Sequence, residues 1–149
     1  MTAVDALQRS PLFKDFSSTG LEALAEIAQV RKLAAGETLF AEDAPGDSLF
    51  VIQGGTVKLV QRHEGGEREI GTLGAGEHLG DLGLLARTVR LVTAIAATDC
   101  EVLELTRRAF FKKAQDKPVT CLKLAAVVAG EIARRVEASR AALRDLAGR

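Results

Sequence analysis

The sequence has few of the residues on which metal binding and catalysis usually depend. Its 149 residues include only two cysteines and two histidines. Cys100 and Cys121 have neither metal-ligand spacing nor a disulfide-rich setting. Structural zinc, an iron–sulfur cluster and a disulfide framework therefore have no ligands here, and both residues read as ordinary cytosolic thiols. Neither His63 nor His78 neighbours a nucleophile or a carboxylate dyad, so no catalytic residue can be named and the chain is not expected to be an enzyme. No sign of charge is in excess, because 20 Lys and Arg balance 20 Asp and Glu. A nucleic-acid binder shows a basic excess on one face, so no DNA partner is expected. The start, Met1-Thr-Ala-Val-Asp, lacks a basic n-region and an apolar h-region. No run approaches the ~18 apolar residues of a membrane span. These absences point to a cytoplasmic protein with no membrane contact, no cofactor and no metal.

Hydrophobic residues make up 47% of the chain and charged residues 27%, enough for a sizeable core in one domain. Three zones differ in texture. Residues 1–30 read as a helical N-terminal segment, with Leu21, Leu24, Ala25 and Ala28 at helical spacing. Ser17, Ser18 or Thr19 can cap its start, and Thr19 with Glu22 spells a capping box. Residues 30–106 alternate glycines with short apolar runs such as Leu49-Phe-Val-Ile, Val57-Lys-Leu-Val and Val102-Leu-Glu-Leu. That texture predicts a small β-barrel or sandwich, with Gly65-Gly66 as a hairpin turn. Residues 107–147 read as C-terminal helices. Thr106 caps a short helix ending near Asp116, and Pro118 starts a long one that reaches Ala147 before Gly148.

About 30 residues at ~1.5 Å rise make a rod of ~45 Å, longer than a small β-domain needs for its own packing. Leu122, Ala129, Val136 and Leu143 fall at heptad spacing, with Ala125, Ile132, Ser139 and Leu146 at the companion position. Such a seam predicts a homodimer through the C-terminal helix, with Leu122, Ala129, Ile132, Val136 and Leu143 in the interface. The alternative is a helix packed only on its own domain.

The segment richest in chemistry runs from His78 to Ala94. Gly80 opens a short apolar turn whose backbone N–H groups suit an anion. Arg90 leads into the apolar run Val92 to Ala97, where its planar fork is poorly solvated without an acceptor such as phosphate. Asp81 beside the same turn suits sugar hydroxyls. On physical grounds alone, an Arg–Asp pair with a glycine turn is more often a structural salt bridge than a ligand site.

Five motifs in order resemble the cyclic-nucleotide-binding domain shared by catabolite-activator-type regulators, regulatory subunits of cyclic-AMP-dependent kinase and gated ion channels. They are Leu12-Phe-Lys-Asp-Phe-Ser, Ala35-Gly-Glu-Thr-Leu-Phe, Ala44-Pro-Gly-Asp-Ser-Leu-Phe-Val-Ile, Gly55-Thr-Val-Lys-Leu and Gly74-Ala-Gly-Glu-His-Leu-Gly-Asp-Leu-Gly-Leu-Leu. The resemblance spans Leu12 to about Val136. It implies a mainly β fold with flanking helices, a jelly-roll (double-stranded β-helix) β-roll followed by a long C-terminal helix. It also implies cyclic AMP or cyclic GMP as ligand, with Gly80, Asp81, Leu82, Gly83, Arg90 and Leu91 around the cyclic phosphate and ribose. The family pattern reads Phe-Gly-Glu-Leu-Ala-Leu, then Pro-Arg and a small residue. Here Asp81 stands for the glutamate, one methylene shorter, Val89 for the proline and Leu91 for the small residue. Losing a hydroxyl beside a charged oxygen costs about 1.5–3 kcal/mol, and Thr93, placed on the strand face of Leu91, is the candidate to replace it.

Two readings of function follow. In the first, ligand docks on this cassette, a base lies against the start of the C-terminal helix (Ala125 to Val128), and the helix is repositioned to signal to a downstream protein. In the second, the ligand is lost, Arg90 bonds Asp81, Leu91 fills the pocket, and the domain is a dimerising or docking scaffold.

Overall fold

The computed structural model describes residues 2–141 and 144. The chain begins with α1 (Ala3–Arg9), a 3-10 turn (Pro11–Phe13) and α2 (Ser18–Ala25). The capping box belongs to α1, where the Thr2 hydroxyl accepts from Asp5 N–H and the Asp5 carboxylate accepts from Thr2 N–H. At α2 the cap is Ser17, not Thr19. Its backbone is extended, and its Oγ accepts from Gly20 N–H at 3.1 Å, so the helix starts early enough to enclose Thr19.

Ten strands follow: β1 (Gln29–Leu33), β2 (Thr38–Phe40), β3 (Pro45–Gly46), β4 (Ser48–Gly54), β5 (Val57–His63), β6 (Gly66–Leu73), β7 (His78–Leu79), β8 (Thr88–Val89), β9 (Thr93–Ala96) and β10 (Cys100–Thr106). They form antiparallel sheets ordered β1–β10–β4–β7 and β2–β9–β5–β6, with a two-stranded ribbon of β3 and β8. The hairpin between β5 and β6 turns at Glu64-Gly65, one residue before the expected glycine pair, and Gly66 already pairs with His63 as the first residue of β6. Two turns of like sequence, Ala34 to Glu37 and Gly74 to Glu77, are closed alike. In each, the glutamate carboxylate accepts the first residue's N–H.

β4 shows why its sequence is an unbroken apolar run rather than an alternating one. Phe50 and Ile52 point between the sheets, among Leu33, Leu39, Val57 and Val102. Leu49 and Val51 point to the other face, where the helices pack with Leu7, Phe13, Leu24 and Leu105. A strand covered on both faces needs side chains of one kind throughout. The structure is thus a jelly-roll β-roll with helices laid on one of its sheets.

After β10, the Thr106 hydroxyl caps α4 (Arg107–Asp116), and Pro118 occupies the first position of α5 (Pro118–Ala138). Cys121, Leu124 and Val128, spaced for one helical face, are buried in the core that the helices share with β4 and β10. The first stretch of the helix runs to Ala138, and Ser139 forms a turn in which its N–H bonds the Arg135 and Val136 carbonyls and its hydroxyl bonds the Arg135 carbonyl. Arg140, Ala141 and Arg144 are helical again, and the expected end near Ala147 lies outside the described residues. Leu143 and Leu146 lie outside the described residues.

The residues of the expected helix seam divide between the outer and inner faces of α5. Leu122 and Val136 are 71% and 52% exposed, but their companions Ala125 and Ile132 pack on the chain's own core. The outward line consists of Val119, Leu122, Ala126, Ala129, Ala133 and Val136, with alternating spacings of three and four. A fixed 3.6-residue turn carries Ile132 toward the buried face and Ala133 away from it. No helix among the described residues is long and apolar enough to cross a membrane.

Candidate ligand-binding site

Arg90 is the centre of the site because its position in the fold leaves its charge nowhere ordinary to go. The ribbon sets it there. Asp43 N–H donates to the Arg90 carbonyl and Arg90 N–H donates to the Ala44 carbonyl, both at 2.8 Å. The side chain is then only 6% exposed. Its guanidinium lies 4.3 Å from the centre of the Phe40 ring and 5.5 Å from that of Phe50. One terminal nitrogen donates to the Ser48 carbonyl at 3.1 Å and the Gly80 carbonyl at 3.4 Å, while Nε has no partner. Among the described residues no carboxylate oxygen comes within salt-bridge distance of it. Burial lowers its pKa from the ordinary arginine value, and Asp47 and Glu104 oppose this only at longer range.

Gly80 and Gly83 are needed for this close assembly. Gly80 has φ of 79°, and a Cβ there would stand 2.5 Å from the Arg90 guanidinium and 2.8 Å from the Ser48 carbonyl oxygen. A Cβ on Gly83 would come within 2.9 Å of the Gly46 backbone. The glycines seat the short helix α3 (Asp81–Leu85) against β3 and the arginine.

Asp81 does not pair with Arg90. Its carboxylate accepts a hydrogen bond from Arg135 of α5, and His78 Nε2 lies 3.5 Å from the same oxygen. Burial alone would raise the pKa of Asp81. The His78 hydrogen bond and the Arg135 charge outweigh it and hold the carboxyl below its ordinary value of 3.8. The internal Arg90–Asp81 bridge is therefore absent, because Arg135 and His78 take the carboxylate instead.

These groups border a cavity of about 300 Å³. Gly80, Asp81, Leu82, Gly83, Arg90 and Leu91 all line it, together with Phe40, Leu59, Leu73, His78 and Arg135. Leu91 does not fill the cavity: at 60% exposed it stands at the mouth. Thr93 is not in the lining, since the chain bends between Leu91 and β9 and the Thr93 hydroxyl accepts Glu42 N–H at 2.9 Å. The start of α5 does not reach the cavity either, because Val128 is buried in the helical core and the helix contributes Arg135 instead. Sequence reading missed His78, Phe40 and Arg135. The spacing of His78 and Asp81 was its only local signal, while Arg135 and Phe40 arrive through topology.

A jelly-roll that buries an unneutralised arginine beside a cavity under its C-terminal helix is a regulatory ligand-binding domain. This chain belongs to the cyclic nucleotide-binding domain family, whose sequence profile matches residues 30–117. It is 31% identical over 124 residues to the cyclic AMP receptor protein of Thermus thermophilus, covering 83% of this chain and 57% of that protein. It is also 31% identical over 135 residues to glutaminase 2 of Bradyrhizobium diazoefficiens, covering 91% of this chain and 21% of that one. The chain thus spans little more than half of one relative and about a fifth of the other. Among solved structures it is similar to the N-terminal domain of a transcriptional regulator from Streptomyces coelicolor, with TM-score 0.81 and 30% identity, covering 90% of this chain and 94% of that one.

Proposed function

We propose that residues 1–149 act as a single cyclic-nucleotide sensor domain without catalytic activity of its own. The cyclic phosphate docks on Arg90 and on the backbone of Gly80, Leu82 and Gly83, with the ribose beside Asp81 and Leu91 at the rim. The ligand is cyclic AMP or cyclic GMP. The domain forms a homodimer through the outer face of α5 and passes its signal to a downstream protein.

The observation that carries this reading is the buried Arg90 guanidinium, which has no carboxylate partner among the described residues. A buried charge is costly unless it is paired, and a phosphate supplies both the opposite charge and a bidentate acceptor. Coupling to the helix runs through Asp81. A ribose hydroxyl that bonds the other Asp81 oxygen weakens the carboxylate's hold on Arg135 without displacing it, and so couples the ligand to the far end of α5. The ligand-free scaffold is less well supported, since Arg90 is not bonded to Asp81 and Leu91 leaves the cavity open.

Thermal unfolding with and without cyclic AMP tests the proposal. At a hundredfold excess over Kd, ligand should stabilise the protein by about 2.7 kcal/mol. Arg90→Ala should abolish the shift. No shift at millimolar nucleotide would favour the scaffold, and equal shifts in both proteins would mean that the ligand binds away from Arg90.

A further inference from the structure

The cavity is chemically lopsided. Its charged side chains, Arg90, Asp81, His78 and Arg135, lie at or next to the short helix that holds the anion end. Three of them are already engaged with one another, since Arg135 and His78 share one Asp81 oxygen. The hydroxyl of Thr88 has the Val89 carbonyl within 3.4 Å. Among the described residues, the other side chains of the lining are apolar: Phe40 against the Arg90 guanidinium, and a wall that includes Leu59, Leu73, Leu82, Val89 and Leu91. Much of this wall is the mouth: Leu82, Val89 and Leu91 are 37%, 48% and 60% exposed. No aromatic residue follows Phe111, so α5 brings no ring to stack on a base.

We infer that this site does not read the hydrogen-bonding edge of the base. The inference rests on the sensor proposal, and concerns which members of the ligand class the site accepts. Strong discrimination between similar ligands needs a buried polar group that the wrong ligand leaves unpaired. The wall here offers the base only hydrocarbon, against which its faces pack. Because the wall stands at the rim, the base edge stays in water, and adenine and guanine keep their own hydration. Affinity is then set by the anion and by the apolar contact of the base. The purines rank together, and the pyrimidines fall behind in proportion to their smaller faces.

The test is calorimetric titration of the whole chain with cyclic AMP, cyclic GMP, cyclic CMP and cyclic UMP, repeated with Leu91→Ala. Leu91 is mostly exposed, so the variant is expected to fold. Cyclic AMP and cyclic GMP should agree within about threefold, with the pyrimidines weaker by no more than about tenfold. Leu91→Ala should weaken both purines by a similar factor, leaving their ratio unchanged. A preference of more than about tenfold between the purines, or a ratio that changes by that much in the variant, would overturn the inference while leaving the sensor proposal standing. Failure of all four nucleotides to bind would overturn both.

Discussion

Arg135, more than half exposed on α5, donates to the carboxylate of Asp81, which is almost fully buried at the head of α3. The two residues are far apart in sequence, and their contact joins the candidate ligand cavity to the last turns of the long helix. Arg135→Ala would leave a buried carboxylate with only His78 nearby. The expected loss is about 1–2 kcal/mol, below the usual cost of breaking a fully buried pair because the arginine is partly solvated. Urea unfolding of the two proteins measures it. An unchanged midpoint would mean that water replaces the arginine without penalty.

Stability should also depend on pH through Asp81. Its folded pKa lies below the ordinary value of 3.8, so the group contributes stability above that value and loses it as pH falls through the folded pKa. Asp81→Asn should therefore flatten the acid side of the stability curve below about pH 4 and lower stability at neutral pH. Parallel curves for the two proteins on the acid side would show that other carboxylates dominate there.

At Gly80, the positive φ and the closeness of Arg90 act together. Gly80→Ala should cost about 2–3 kcal/mol, since both the strained backbone and the displaced guanidinium count against it. A crystal structure of the variant should show Arg90 shifted. Retention of wild-type stability would mean that the turn relaxes without cost.

The fold was largely legible in the sequence because its signals are local. The Thr106 cap and Pro118 at the first position of α5 each depend on neighbouring residues, and each holds; the β5–β6 hairpin is also where it was expected, with its turn one residue earlier at Glu64-Gly65. Arg90 was also legible, since a charged residue beside an apolar run demands an acceptor whatever the fold. The partner of Asp81 was not, because Arg135 sits on a charge-rich helix stretch that looks like a solvated face, and only topology brings it to the cassette. In the helix seam, Leu122, Ala129 and Val136 face outward as expected, while in the companion row the outward residues are Ala126 and Ala133 rather than Ala125 and Ile132. Heptad spacing alone fits Ile132 and Ala133 nearly equally, and packing on the β-roll decides between them.

Dimerisation through α5 should depend on the outward line. The double variant Leu122→Glu, Val136→Glu places charges on two exposed apolar positions without touching the buried face of Cys121, Leu124 and Val128. In sedimentation velocity it should run as a monomer with unchanged far-UV circular dichroism, while the parent runs as a dimer. A variant that remains dimeric would place the interface elsewhere.

Cys100 and Cys121 are 5% and 2% exposed, and burial raises the Cys121 thiol above its ordinary pKa. Little Cys121 thiolate should therefore be available, and burial keeps reagents from Cys100, so a thiol-reactive dye at pH 8 should label neither quickly in the folded protein but both in urea. Rapid labelling of native Cys121 would indicate that α5 opens readily from the β-roll.

The central claim is that the uncompensated charge of Arg90 is a phosphate site. Its most direct test is calorimetric titration of cyclic AMP into the wild-type protein and into Arg90→Ala, with circular dichroism confirming that the variant is folded. The account predicts saturable micromolar or tighter binding to wild type, and none to the folded variant. Binding of equal strength to both, or no heat from either, would contradict it.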